Sequence, residues 1–411
     1  MAHTPAERAG FLQQPSTAVL SGLVAIHLLV LVVIVARASS LAPGDADVAR
    51  ANRIATSPAI AYRNFPVEYM PLQTLFDRTL ADGDIAAAGV RIAMVAFLAD
   101  MAAAVAMAWG WGRRHAVTYL LLGFPLLSFL YLRFDLVAVA LTAWSLALLH
   151  RRREELGGAA LGLAVMAKLW PLVVLVPIFV FRKARRALVV GVVVCLAIGA
   201  WWYLTGGPKA PFQVVSFRGT RGWHVESVVG SVLWALGRGV PYREADAIRI
   251  GHAALAAKAL LFLGLLAVEG LIWRRASRDG RDPAGAAALA SVAALAVFSP
   301  LFSLQMAAWL LPFAALALDG DHDERHTAGV ATVAVILTGL VALVWRDQTS
   351  TPASWVAWLV VARNLVWIDI VVSWLRIKPL PVPTDPAEVP RRRAADAATE
   401  GLETVLPFDA E

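Results

Sequence analysis

The chain has 411 residues, of which 59% are hydrophobic and only 16% are charged. Because soluble proteins carry about a quarter charged residues, this composition excludes an ordinary water-soluble protein. The formal net charge of +7 does not indicate nucleic-acid binding, since the basic residues lie in short loops and in the tail rather than on one face. The single cysteine, Cys195, excludes an intramolecular disulfide.

Apolar runs long enough to cross a bilayer recur along the whole chain. In chain order, the predicted spans cover about residues 18–35, 86–109, 116–131, one from the outer-face Arg133-Phe134-Asp135 to His150, two spans within 157–181, 188–204, 251–273, one on each side of 299–305, one ending at Trp345, and 354–375. This pattern predicts an all-α, polytopic transmembrane helical bundle of about 12 spans. Two long connections interrupt it, outer loop one at about 37–85 and outer loop two at about 206–248.

Short arginine-rich loops predict the orientation of these spans. They are Arg113-Arg114, Arg151-Arg152-Arg153, the run 182–186 and Arg274-Arg275. Short basic loops stay in the cytoplasm, so both outer loops are expected on the extracytoplasmic face. The predicted organisation is a cytoplasmic segment 1–16, a multi-span membrane domain 17–376 and a proline-rich, charged, disordered cytoplasmic tail 377–411.

Residues 157–181 are too long for one span and short for two. Lys168-Leu169-Trp170-Pro171 lies near the middle, where Pro171 breaks or kinks a helix. A single span would place the arginines of 182–186 outside and invert every later loop. Charge bias therefore favours a hairpin of two helices, with one span as the alternative.

Outer loop one carries six acids, of which Asp45 and Asp47 are the preferred candidates for a catalytic base. They follow the first span within a few residues, and a carboxylate at the membrane rim can take a proton from a sugar hydroxyl. Asp77, Asp82 and Asp84 are interpreted as helix-terminus and turn residues.

Outer loop two contains more basic than acidic residues, which is unusual on the face opposite the cytoplasm. Either the loop is long enough to escape the orientation trend, or cations such as Arg218 and Arg221 bind an anion. Trp223 and His224 beside Glu226 suit the binding of a sugar ring. No second histidine lies near enough to predict a metal site.

Several charged residues lie at or within apolar segments. Lys168 interrupts the predicted hairpin and either reaches the interface or binds an anion. Arg133 and Asp135 either pair with each other or frame a pocket. Asp100 lies in the middle of a span and needs a partner, for which Arg363 is the predicted one.

An ordered set of segments resembles the bacterial membrane enzymes of glycosyltransferase family 87. The run from Tyr62 to Leu72 resembles that family's Tyr-Pro-Pro-Leu-type segment. The other segments, in the order the family shows, are Arg133-Phe134-Asp135-Leu136, Lys168-Leu169-Trp170-Pro171, Arg221 through Ser227, and Ser299-Pro300 with Trp309-Leu310-Leu311-Pro312. The resemblance covers about residues 47–318. Asn64 and Met70 depart from it, since relatives often have aspartate and proline there.

The resemblance implies a GT-C fold and transfer of a sugar, typically mannose, from a polyprenyl-phosphate donor to an extracytoplasmic cell-envelope lipid or glycan at the bacterial plasma membrane. The catalytic aspartate of the first outer loop corresponds to Asp47, with Asp45 the near alternative. The phosphate would be held by Lys168, Arg221 and Arg218. The remaining candidates, for donor or acceptor contacts, are Tyr62, Arg63, Glu68, Tyr69, Arg133, Asp135, Trp223, His224 and Glu226. No cofactor, metal or nucleic acid is expected.

Two other functions remain open from the sequence. A lipid or glycan transporter would carry its polar sites near the bilayer midplane, often in repeated halves, and Asp100 with Arg363 is the feature that favours it. A non-catalytic partner in an envelope-assembly complex is favoured by the departures at Asn64 and Met70. The clustering of polar residues at one rim favours the enzyme.

Overall fold

The structure is a computed structural model that describes residues 15–216, 220–244, 247–345 and 354–380. Arg218, most of the predicted N-terminal segment and nearly all of the predicted tail lie outside these ranges. The helices before outer loop two are α1 Thr17–Ala36, α2 Ala38–Leu41, α3 Ala46–Thr56, α4 Pro71–Leu80, α5 Ile85–Trp111, α6 Arg113–Gly123, α7 Leu127–Leu130, α8 Asp135–His150, α9 Glu154–Ala167, α10 Pro171–Phe181, α11 Arg185–Gly206 and α12 Ala210–Ser216. Those that follow are α13 Val228–Ala235, α14 Leu255–Ala276, α15 Ala286–Val297, α16 Leu311–Ala317, α17 His322–Val344 and α18 Ser354–Arg376. Short 3-10 segments cover Ala42–Gly44, Phe124–Leu126 and Leu304–Leu310.

These helices confirm the predicted all-α, multi-spanning bundle. In the described ranges, six helices are long and apolar enough to cross a membrane, namely α1, α5, α11, α14, α17 and α18. Shorter apolar helices coincide with other predicted spans, among them α8, α10 and α15. Where a span is divided, proline is often present: Pro125 lies in the 3-10 segment between α6 and α7, and Pro312 opens α16.

The segment 157–181 forms two helices, as predicted. The chain leaves α9 at Lys168, whose backbone is extended, and Pro171 occupies the first turn of α10. The helices before and after α10, α9 and α11, pack against each other. Gly158 lies against Ala187, and Gly162 lies against Gly191 and Val194, so the two helices run parallel. A Cβ atom at Gly158 would lie 2.1 Å from the carbonyl oxygen of Ala187. Glycine therefore permits the close contact between α9 and α11.

Outer loop one folds onto the rim of the bundle through α3 and α4. It is joined to the segment after α11 by Gln213, which accepts a hydrogen bond from the Val67 backbone N–H at 2.9 Å and donates to the Tyr62 carbonyl at 2.6 Å. Tyr62 adopts a left-handed conformation with φ of 67°. Its ring stands edge-on to Trp202, and its hydroxyl donates to the Tyr69 carbonyl at 2.7 Å. These contacts hold the loop in place despite the unfavourable backbone conformation.

Outer loop two contains a small antiparallel sheet of order β1-β3-β2, formed by β1 Trp223–His224, β2 Tyr242–Glu244 and β3 Ala247–Ile250. Arg249 of β3 is fully buried and donates to the Gly222 carbonyl at 3.0 Å. Both outer loops lie at the same end of the bundle, as predicted, because residues of both line one cavity.

The arginine-rich loops gather at the other end, where they make ion pairs with acids of neighbouring loops. Arg114 pairs with Asp319 at 2.6 Å, and Arg182 pairs with Asp282 at 2.8 Å. The two ends of the bundle are therefore chemically different, as the sequence predicted.

The predicted pairing of Asp100 with Arg363 is wrong. Asp100 accepts hydrogen bonds from Tyr119 at 3.0 Å and Tyr131 at 2.9 Å, and its carboxylate lies 2.8 Å from His27 Nδ1 of α1. Arg363 instead donates to the Glu226 carbonyl at 2.7 Å. The sequence showed that each group needs a partner, but the partners lie on other helices.

Candidate active site

A cavity of about 1140 Å³ opens between the two outer loops and continues down the bundle. Its polar lining includes, among other groups, four acids, four basic residues and four neutral side chains. These are Asp45, Asp47, Glu68 and Glu226; Arg50, Arg133, Lys168 and His224; and Tyr69, Gln73, Ser303 and Gln305. Eight of these residues were site candidates from the sequence.

Asp45 and Asp47 share Arg133 but differ in their freedom to react. Asp45 is the N-cap of α3, where it accepts from the backbone N–H groups of Asp47 at 2.9 Å and Val48 at 3.1 Å, and Arg133 also donates to it. Burial and the charge of Asp47 raise the pKa of Asp45, against the effect of Arg133. Asp47 lies 3.3 Å from Arg133 Nε, and its side chain is 30% exposed. Asp47 is the carboxylate available to a substrate.

Glu68 and Tyr69, in the turn before α4, line the same wall of the cavity. Glu68 is buried and accepts from Arg50 at 2.9 Å. The Tyr69 hydroxyl donates to Asp47 at 3.3 Å, and burial raises the pKa of Tyr69 well above its usual range. Tyr69 therefore remains a hydrogen-bond donor at any working pH, and it orients Asp47.

Lys168 faces this carboxylate group from the break between α9 and α10. Its ammonium lies 3.3 Å from Asp135 and 5.8 Å from the centre of the Tyr69 ring. Asp135, which is 1% exposed, also accepts from Trp309 Nε1 at 2.8 Å. Asp135 thus lies behind Lys168 and fixes its position, while the Lys168 side chain remains 18% exposed toward the cavity. Arg133 and Asp135 do not pair with each other. Arg133 pairs with Asp45 and Asp47, and Asp135 pairs with Lys168.

Glu226 and His224 form the opposite wall, in outer loop two. Burial raises the pKa of Glu226 to about 7, although Arg363 Nη1 lies 3.5 Å from its carboxylate. Burial and the charges of Arg249 and Arg363 lower the pKa of His224 to about 3, so His224 is neutral near pH 7. Its Nδ1 accepts from the Glu226 backbone N–H at 3.3 Å. This wall offers a neutral imidazole and a carboxyl that ionises near neutrality.

Five described candidates do not line the cavity, among them Asp135, which lies behind Lys168. Tyr62 and Trp223 are buried in the framework of the two loops. Arg63 is exposed and donates to the Leu204 carbonyl at 2.7 Å. The Arg221 side chain is also exposed, and its backbone N–H donates to Glu244 at 3.0 Å. The Arg221 side chain does not line the cavity, so its predicted phosphate-binding role has no support from the structure. Arg218 lies outside the described residues. Asn64 is exposed away from the cavity, whereas Met70 lines it.

Sequence reasoning missed several residues that contribute to the site. Lys258 near the start of α14 and Arg243 of β2 add two cations to the lining, and Glu269 adds an acid on α14. Lys258 and Glu269 were detectable as charges inside an apolar run. Asp77 lies in the last turn of α4, as its interpretation as a helix-terminus residue allowed, but it is only 6% exposed, and the sequence did not predict this burial.

Below this polar rim the cavity becomes apolar. This lower part, the apolar limb, is lined by Leu172, Val173, Pro177, Phe262, Leu265, Leu266, Leu295 and Phe298. Phe262 is 58% and Leu266 52% exposed, and only 11% of the most apolar stretch of α14 is buried, so the limb opens sideways beside α14, where lipid chains would lie. In the described ranges, no group of three or more histidine, cysteine, aspartate or glutamate side chains forms a metal site.

Comparison with known proteins gives one family. Residues 69–303, more than half of the chain, match Glycosyltransferase family 87. The chain is also similar to a solved structure, ArnT from Cupriavidus metallidurans in the apo state, with 16% sequence identity, 88% of this chain and 77% of that chain covered, and a TM-score of 0.40. No curated protein matches the chain.

Proposed function

Since the chain belongs to glycosyltransferase family 87 and is a multi-pass membrane glycosyltransferase, we propose that it takes its sugar from a polyprenyl-phosphate donor. The first candidate for the sugar is mannose. The acceptor is a cell-envelope lipid or glycan, and the reaction takes place at the extracytoplasmic face of the bacterial plasma membrane. The GT-C architecture belongs to the same proposal.

The shape of the cavity carries this proposal. One compartment joins a rim of carboxylates and cations to an apolar limb that opens sideways between helices. A lipid-linked sugar needs both environments at once, because its prenyl chain is as apolar as the bilayer and its phosphate and sugar are strongly hydrated. A water-soluble nucleotide sugar would have no use for the apolar limb.

Asp47 is the proposed general base. It removes the proton from the acceptor hydroxyl as that oxygen bonds to the anomeric carbon, and the bond from that carbon to the phosphate oxygen breaks. The electron pair of the broken bond leaves with the polyprenyl phosphate, through a transition state with oxocarbenium character. Arg133 and Tyr69 hold Asp47 in place through contacts of 3.3 Å each. Asp45, which caps α3, serves as support.

Lys168 is the proposed partner of the departing phosphate. Its ammonium is exposed toward the cavity, and Asp135 and Trp309 fix its position from behind. Lys258 and Arg243 also line the cavity and are the proposed further cations for the anion in place of Arg221, while Arg218 stays a candidate outside the described residues. Glu226, His224 and Glu68 are placed to contact sugar or acceptor hydroxyls.

The decisive experiment offers the full-length protein, in nanodiscs, labelled polyprenyl-phosphate mannose together with envelope lipid extract. We expect label to move into the acceptor fraction, and Asp47→Asn to lower the rate by about 10²–10⁴-fold, the usual contribution of a general base. A nucleotide sugar and a short-chain prenyl phosphate sugar serve as control donors. Transfer from the nucleotide sugar, with none from any lipid-linked sugar, would overturn the donor assignment.

A further inference from the structure

A second, much smaller cavity lies directly behind Asp47. Its volume is about 20 Å³. A single water molecule needs about 10–15 Å³ measured in this way, together with two to four polar partners. Polar side chains reach this space from α3, from α4 and from the turn before α8, namely Asp47, Gln73, Asp77 and Arg133. Apolar side chains of α5 and α8 close the remaining walls, including Ile92, Val95, Ala96 and Val137.

Three buried polar atoms that belong to residues lining this space have no hydrogen-bond partner in the protein. They are Gln73 Oε1, Asp77 Oδ2 and Arg133 Nε. Gln73 and Asp77 are four residues apart on α4 and therefore share one face of that helix. Arg133 Nε lies 3.3 Å from Asp47 but makes no hydrogen bond there. Leaving such groups unpaired costs about 1–3 kcal/mol each, so the convergence of three on one space indicates a ligand.

We propose that this cavity holds one water molecule, which links the neutral carboxyl of Asp77 to Asp47 and makes Asp77 a positioning residue for the base. The water accepts from the Asp77 hydroxyl and from Arg133 Nε–H, and it donates to Gln73 Oε1 and to the Asp47 carboxylate. Two bonds accepted and two donated satisfy the water and all three unpaired atoms. The inference rests on the proposed role of Asp47.

The charges around Asp77 favour its neutral form. Burial and the negative charge of Asp47 raise the pKa of Asp77 well above its usual range. Glu68 acts in the same direction, and Lys168 and Arg50 oppose it. From the other packed elements, Arg133 is engaged with Asp45 and Asp47, while Arg91 of α5 pairs with the exposed Asp82. The Asp77 carboxyl is therefore the hydrogen-bond donor to the water, and Asp47, whose carboxylate lies 3.3 Å from Arg133 Nε, is the acceptor.

Three variants of the full-length protein test this arrangement. Asp77→Asn keeps a donor toward the water and cannot ionise, so we expect near wild-type kcat and KM and an unchanged acidic limb of the pH–rate profile. Asp77→Leu removes the donor, and Gln73→Leu removes an acceptor without touching any charge. Both should lower kcat by about tenfold with little change in KM, because Asp47 is no longer held in position. Asp82→Asn is the matched control, since Asp82 is exposed and lies outside the small cavity.

Infrared difference spectra give a readout that does not depend on activity. We expect wild-type protein near pH 7 to show the carbonyl band of a protonated, buried carboxylic acid that Asp77→Asn lacks and Asp82→Asn retains. Absence of that difference overturns the inference. So does an acidic limb that moves to lower pH in Asp77→Asn, since Asp77 would then have been charged, or a Gln73→Leu enzyme with wild-type kcat. If Asp47→Asn stays fully active, the proposed base is wrong, yet the infrared band still decides whether Asp77 is neutral.

Discussion

The strongest test of the fold concerns the polar network that fastens α1 to the bundle. Only 22% of the most apolar stretch of α1 is buried, yet His27 is completely buried against Asp100. We predict that Asp100→Leu destabilises the protein, because it removes the acceptor for His27, Tyr119 and Tyr131, whose contacts measure 2.8, 3.0 and 2.9 Å. Hydrogen bonds between membrane helices are worth about 0.6 kcal/mol on average, so the expected loss is about 2 kcal/mol.

We expect Asp100→Leu to reduce sugar transfer by more than the loss of folded protein alone explains. α1 ends at Ala36, nine residues before Asp45 and eleven before Asp47, so a loosened α1 displaces the candidate base. The free energy of unfolding is measured in mixed micelles by titration with a denaturing detergent, alongside sugar transfer. Leu98→Ala is the control on the same helix, since Leu98 is 64% exposed to the lipid side. A double-mutant cycle with His27→Leu should show a coupling energy of about 0.6 kcal/mol or more. If Asp100→Leu unfolds at the same concentration of denaturing detergent as the wild-type protein, the reasoning is refuted.

Three further outcomes are expected. The pKa of Glu226 is about 7 in the fold and about 4.5 when unfolded, so the folded state binds more protons between these values and stability falls as pH rises through them. Wild-type protein should lose about 3 kcal/mol of unfolding free energy over this window relative to Glu226→Gln, and parallel curves would contradict this. Gly158→Ala should cost about 1–3 kcal/mol, because its Cβ meets a backbone oxygen of α11 at 2.1 Å, whereas Gly199→Ala, with nothing within 4 Å, should unfold like wild type. Trp309→Phe removes the 2.8 Å hydrogen bond to Asp135 and should weaken donor binding in a titration with labelled donor; unchanged affinity would exclude this support of Lys168.

Some parts of the candidate site were predictable from sequence because their signal is local. Asp45 and Asp47 follow an apolar span at once, and Lys168 interrupts one beside a proline. A charge within or next to a membrane segment is costly, so its position alone indicates a specific environment. The structure places all three on the same cavity. Their catalytic roles remain predictions.

Other parts were not predictable, because each depends on which segments meet. Asp77 is one of six similar acids in outer loop one until α4 packs against α5 and buries it. Arg363 lies 137 residues from Glu226 in the chain, and nothing local in the sequence distinguishes that partner from Asp100. Arg221 looked like a phosphate ligand, but the small sheet of outer loop two leaves its side chain exposed.

By itself, the sequence determined that this is a membrane bundle and which loops share an end, since insertion into a bilayer depends on the length of apolar runs and on nearby arginines. Only the tertiary structure decided which carboxylate is accessible, which acid is buried beside it and where the apolar limb opens. Those properties arise from contacts between helices far apart in the chain, and such contacts set burial and charge pairing.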